Sequence, residues 1–176
     1  MGKGMRGARF LLWGVLGLLL SGCLFFSDKP ALSRSDAFPG VGKWACKDFN
    51  GQASTIEIKR VRGGYQFDGE PAWFKRLEEG FYLLQAHSED KSLGKVYFYL
   101  WVELEGGRLY LSIASPEAIG TASSKALRAG VELEEVMKED SPPPLYRVKG
   151  EPAQILRFLS SFKRSELMTV SSCQKS

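Results

Sequence analysis

Between Lys95 and Ser115 the side chains alternate strictly. Val96, Phe98, Leu100, Val102 and Leu104 fall on one parity, and Tyr97, Tyr99, Trp101, Glu103 and Glu105 on the other, until Gly106-Gly107 interrupts the run. A period of two is that of a β-strand and excludes a helix, whose faces recur every ~3.6 residues. The paired glycines accept the positive φ that a tight hairpin turn demands. Counting outward from that turn pairs Glu105 with Arg108, Leu104 with Leu109, Val102 with Leu111 and Leu100 with Ile113, so one face of the hairpin becomes continuous hydrocarbon. The chain must therefore build an antiparallel sheet with a buried face.

Similar punctuation recurs on both sides. Lys43 to Asp48 is expected to begin the sheet, Ser54 to Val61 and Tyr65 to Gly69 to form a second hairpin across Gly63-Gly64, and Trp73 to Glu78 and Phe81 to Ser88 to follow as strands parted by Gly80. Further strands are expected at Val131 to Met137, Leu145 to Lys149 and Leu167 to Cys173, with Pro142-Pro143-Pro144 enforcing an extended surface connection before Leu145. Two helices interrupt them. Ser115 can cap the first, Pro116 suits its first turn, Ile119, Ala122, Ala126 and Leu127 make a modest stripe, and Gly130 can end it. Pro152 opens the second, where Ile155, Phe158, Leu159 and Phe162 follow the i, i+3, i+4, i+7 spacing of one core-facing stripe. The expected fold class is α+β, a mainly antiparallel β sheet or partial barrel with two packed helices.

The first residues carry a different signal. Lys3, Arg6 and Arg9 precede an apolar run from Phe10 to Leu20, and Leu20-Ser21-Gly22-Cys23 follows, the layout of an export signal ending at small residues. The tetrapeptide resembles the lipobox of bacterial lipoprotein precursors. That resemblance implies a diacylglyceryl thioether on Cys23, cleavage between Gly22 and Cys23, and acylation of the new amino group. Leu24 after the lipidated cysteine resembles a signal that permits transfer to the outer membrane of a Gram-negative host, and the mature part resembles small uncharacterised bacterial lipoproteins. The alternative is an uncleaved anchor, since the apolar stretch from Phe10 to Phe26 is only slightly short of the ~20 residues that span a bilayer. On the lipoprotein reading residues 1–22 are a signal peptide, 23–40 a lipidated N-terminus and tether rich in Ser, Asp, Pro and Gly, and 41–176 a single globular domain. The tether shortens if Leu32 or Phe38 docks on the core.

Cysteine use agrees with export. With Cys23 taken by lipid, Cys46 and Cys173 admit one pairing, and a disulfide is the favoured reading in an oxidising compartment. A metal or nucleophilic pair is the alternative, but neither cysteine has a C-x-x-C partner and the single histidine is His87. No metal site and no cofactor are expected. Removing residues 1–22 takes three of the 24 cations and none of the 20 acids, leaving a net +1 and no basic run to neutralise phosphates. Nucleic-acid binding is not expected.

Gly42-Lys43-Trp44 resembles the first-strand G-x-W of lipocalins and related calycins. The resemblance implies that Trp44 packs across the base of a barrel whose interior holds small apolar ligands; the alternative is a glycine turn before a core tryptophan. Tyr97, Tyr99 and Trp101 put three amphipathic rings on one strand face, which can line a cavity or meet a partner, or else lie beneath a helix. Trp44, Tyr97, Tyr99 and Trp101 are the ligand-binding candidates. Glu103 and Glu105 are better read as solubilising a hairpin end than as a hydrolytic pair, Ser160 and Lys163 match S-x-x-K only numerically, and His87 has no nucleophile beside it. No catalytic residue is assigned. The expectation is a membrane-anchored envelope lipoprotein acting as a non-enzymatic binding or accessory module, on the periplasmic face of the outer membrane in a Gram-negative host. Its partners would be the membrane through the N-terminal lipid and an envelope protein, with a calycin-like carrier of a small apolar ligand as the alternative.

Overall fold

The computed structural model describes residues 24–138 and 141–176, and for residues 137, 138 and 141–144 the backbone alone. The expected signal segment 1–22 and the expected cleavage and lipidation positions Gly22 and Cys23 lie outside the described residues. Strands β1 (Leu24–Ser27), β2 (Gly42–Asp48), β3 (Ala53–Val61), β4 (Gly64–Phe67), β5 (Glu70–Glu78), β6 (Phe81–Asp90), β7 (Gly94–Glu105) and β8 (Arg108–Ala114) precede helix α1 (Pro116–Ala129). Strands β9 (Glu132–Lys138) and β10 (Ser141–Lys149), helix α2 (Pro152–Ser160) and β11 (Leu167–Lys175) follow. Among the described residues no helix is long and apolar enough to cross a membrane.

From β2 to β8 each strand pairs antiparallel with the next, and β11 slots antiparallel between β8 and β2, so eight strands close on themselves. The fold is α+β and mainly antiparallel, but the barrel is closed rather than partial. The physical reason is the unpaired edges that the β2–β8 meander would leave on β2 and β8, both of which β11 covers when the chain returns from its helical excursion.

The hairpin register is as the alternation requires from Glu105–Arg108 to Val102–Leu111 and ends at Trp101–Ser112. The expected Leu100–Ile113 pair does not form. Beyond Trp101 the same edge of β7 passes to β1, which pairs Phe25 with Tyr99, Phe26 with Phe98 and Ser27 with Tyr97. Strand β1 also runs parallel to β10, which pairs antiparallel with β9, so a three-strand flap extends the barrel wall. The connection expected over Pro142–Pro144 is part of β10.

The two parities of β7 feed two cores. Val96, Phe98 and Val102 point into the barrel with Ile56, Ile58, Phe74, Leu84, Leu109 and Leu111. Outside, Phe81, Leu83, Tyr99 and Trp101 form an apolar wall beneath Ile155, Phe158, Leu159 and Phe162, the stripe expected for the second helix. Helix α1 is oriented differently from the expected stripe: Ala118, Ala122, Ala126 and Ala129 are buried while Leu127 is 83% exposed. Small side chains let α1 approach closely; Leu127 lies off that alanine face.

From Leu24 onward residues 24–40 are no tether. Leu24 and Phe26 enter the barrel core and Phe25 the outer one, with Ala31, Leu32 and Phe38 also buried. The folded part takes in this segment ahead of Val41 because its apolar side chains supply both cores at once. Cys46 and Cys173 lie directly opposite on β2 and β11 and form a disulfide, tying the strand that opens the barrel to the one that closes it.

Truncating Phe26 to Ala is expected to lower the unfolding free energy by about 3–5 kcal/mol, measured by urea denaturation; an unmoved midpoint would restore the tether. Replacing Cys46 and Cys173 together with Ser is expected to cost about 2–5 kcal/mol, and reductant should reproduce that loss in the unaltered protein.

Candidate functional site

The strand period carries Tyr97, Tyr99 and Trp101 to the outer face of β7 and leaves Trp44 inside the barrel, so the four ligand candidates do not share a site. Trp101 is covered by Phe162 at 5.3 Å and by the edge of Phe25 at 6.4 Å, and Phe25 in turn meets Phe158 at 5.2 Å. Phe25 and Phe162, backed by Phe158 of α2, therefore fill the face expected to line a cavity, since a strand apolar on both faces must be covered on both sides of its sheet. Among the described residues the Trp101 indole N–H has no hydrogen-bond partner. Tyr97 is half-buried between His87 and Trp73, at 5.4 and 6.1 Å.

Tyr99 is a clamp. Its hydroxyl lies 2.7 Å from the Ser27 hydroxyl and accepts the Ala31 amide at 3.0 Å. Beside it, the Gln85 carboxamide accepts the Leu32 amide at 2.8 Å and donates to the Leu32 carbonyl at 3.0 Å, so one side chain satisfies both backbone groups of a residue that joins no strand. Burial pushes the Tyr99 hydroxyl pKa up to about 12, against the opposing pull of Ser27 and the Ala31 amide.

Beyond this clamp the segment crosses the end of the barrel. Strand β4 is short and leaves the edge of β5 unpaired past Ala72, where Ser35 and Asp36 cover it: the Asp36 amide donates to the Phe74 carbonyl, Ser35 Oγ accepts the Phe74 amide, and an Asp36 carboxylate oxygen accepts that of Arg76. Phe38 then drops into the barrel, stacked on Phe74 at 3.9 Å and edge-on to Tyr82 at 5.0 Å, with its amide donated to the Tyr65 hydroxyl. Gly40 is required here, because a Cβ would come within 2.6 Å of the Phe38 ring. Trp44 lies beside it, donating its indole N–H to the Gly40 carbonyl at 2.9 Å beneath the Lys175 ammonium. A groove of about 370 Å³ opens at this end, lined by Pro39, Trp44, Leu104, Arg108 and Lys175.

Two of the remaining polar candidates have structural partners. Glu103 pairs with Arg164 at 3.7 Å, and His87 Nδ1 lies 3.9 Å from Glu70. Glu105 and Ser160 are exposed. Among the described residues no group of three His, Cys, Asp or Glu side chains could hold a metal.

A second groove, of about 600 Å³, lies where α1 meets the end of α2, and sequence reasoning missed it. Lys125, Arg128, Arg157 and Lys163 line it against a single carboxylate, Glu166. Burial works against the charge of Glu166, but the Lys163 amide and the Lys125 ammonium outweigh it and hold the carboxyl below the usual range. Lys125 also donates to the Ser161 carbonyl at 2.9 Å and sits over the Phe162 ring. The only sequence signal was the i, i+3 spacing of Lys125 and Arg128, since Arg157 arrives on α2 and Lys163 on the stretch after it. No known family, curated protein or solved structure matches this chain.

Tyr99 binds its proton more tightly in the fold than in the unfolded chain, so its contribution is full below pH 10 and is lost as pH rises from 10 to about 12. Tyr99→Phe is expected to cost about 1–3 kcal/mol at neutral pH by stranding the Ala31 amide and to remove this alkaline component. Ultraviolet titration should contain a late-ionising tyrosine component, and its loss in the variant identifies it as Tyr99.

Proposed function

We propose that this chain is a lipid-anchored module of the bacterial cell envelope that acts by binding, as an accessory protein, and carries out no reaction of its own. The observation that carries the reading is the disulfide: it consumes Cys46 and Cys173 and leaves Cys23, the residue preceded by Leu20-Ser21-Gly22, as the one cysteine outside it. In an oxidising compartment a thioether to lipid accounts for that odd cysteine. Two or more acyl chains then hold the protein stably, since each buried methylene contributes about 0.8 kcal/mol. Anchoring raises the effective concentration of the barrel near envelope partners. In a host with two membranes the location is the periplasmic face of the outer one. Nucleic acid has no part in this reading.

A calycin-like carrier is the second reading. It is favoured by the closed β2–β8 meander and by Trp44 beside the groove at the barrel end. A ligand reaching the axis from that groove must displace Phe38 from its stack on Phe74, which weighs toward the accessory role.

Cys23→Ala is expected to move the protein out of the lipoprotein fraction, and mass spectrometry of the unaltered mature chain to find a diacylglyceryl group on Cys23. An unmodified thiol there would overturn the reading. Crosslinking in cells should recover one stoichiometric envelope protein; a defined small lipid retained through native purification would favour the carrier instead.

A further inference from the structure

We propose that the cationic groove between α1 and α2, with the exposed Leu127 beside it, is the face on which this protein rests against an anionic phospholipid surface. The proposal depends on the lipid-anchor reading and specifies how the anchored fold is oriented. Leu24, the residue after Cys23, is already a strand residue and only 3% exposed. Acyl chains on Cys23 therefore join the fold without flexible residues between, and the surface around the start of β1 must meet the headgroups. Phe25 identifies that surface: its ring lies 5.5 Å from Phe162, and the same Phe162 ring carries the Lys125 ammonium at 5.2 Å. One side chain separates the anchored strand from the groove.

The charge on this face is unbalanced. Lys125 neutralises Glu166 at 3.2 Å, while among the described residues no carboxylate lies within ion-pair distance of Arg128, Arg157 or Lys163. These three are exposed, an arrangement that suits a broad phosphodiester surface over a small enclosed anion. Leu127 is the most exposed large hydrophobic side chain among the described residues. On a helix of ~3.6 residues per turn, Ser124 lies between Leu127 and Arg128, so an apolar and a cationic group share one flank. That pairing is characteristic of helices lying in a membrane interface, with the apolar side chain at the acyl boundary and the cations at the phosphates.

The test uses the lipidated full-length product, with the Cys23 lipid verified by mass, in vesicles of phosphatidylcholine alone or mixed with phosphatidylglycerol. An NBD fluorophore is placed at Leu127→Cys or, as a control, at Thr55→Cys on β3 across the barrel from β7. Label at 127 is expected to shift to the blue and be quenched by nitroxide lipid only in the anionic vesicles, while label at 55 stays aqueous. Each cation near such a surface is worth about fivefold in the docked-to-undocked ratio, so the combined Arg128→Glu, Arg157→Glu, Lys163→Glu variant, its fold checked by circular dichroism, should lower that ratio more than tenfold. An aqueous label at 127 in anionic vesicles, or a shift that survives charge reversal, would overturn the proposal. So would a response to inorganic phosphate without vesicles, which would make the groove a small-anion site. Failure of the anchor reading is separate: Cys23 would be unmodified and the protein would not reconstitute.

Discussion

Closure of the barrel by its last strand is the constraint on which the rest of the structure depends. The chain leaves the wall at Ala114 and returns at Leu167 to pair with both β8 and β2, and the Cys46–Cys173 disulfide holds that return in place. Everything between must therefore fit on the outside of the barrel. It packs there because β6 and β7 present Phe81, Leu83, Tyr99 and Trp101 outward, an apolar wall that water would otherwise cover. The helices are thus a consequence of how β7 is buried on both faces.

The N-terminal segment is the second structural bond between these layers. Phe25 packs under α2 while Leu24 and Phe26 enter the barrel core, so three successive residues join the two cores through one short strand. The same segment is then clamped by Tyr99 and Gln85 and ends with Phe38 inside the barrel. Under the proposed lipidation of Cys23 this packing feature would also be an orienting one, since a lipid attached so close to a buried strand would leave the folded part little freedom to reorient.

How far the fold was legible depended on whether its signal was local. The alternation from Val96 to Leu104 and the Gly106-Gly107 turn set the parity and most of the register of the β7–β8 hairpin, because both are properties of adjacent residues. The Leu100–Ile113 pair failed because β1, remote in sequence, takes that edge of β7 instead. Strand β1 was hidden in the tail of an apolar run that read as export signal and tether. Leu127 counted as a core residue by hydrophobicity, yet the helix buries its alanines because close approach rewards small side chains. Of the ligand candidates, Trp44 was legible as a barrel residue. The rings of Tyr99 and Trp101 were legible as large and opposite the aliphatic stripe, but what covers them, the segment after Leu24 and the stretch from α2 to Phe162, is remote in sequence.

The amino-acid order by itself determined the strands from β2 onward apart from the first half of β10, the helical stripe of α2, the pairing of Cys46 with Cys173 as the favoured disulfide, and the lipobox resemblance that underlies the proposed location. These follow from short-range periodicity, turn chemistry and counting. Only the tertiary structure decided that the sheet closes, that residues 24–40 belong to the core, that the outer aromatic face is filled, and that Lys125, Arg128, Arg157 and Lys163 converge on one groove. Those outcomes turn on which distant edges and faces bury one another, a competition between surfaces that no local pattern encodes.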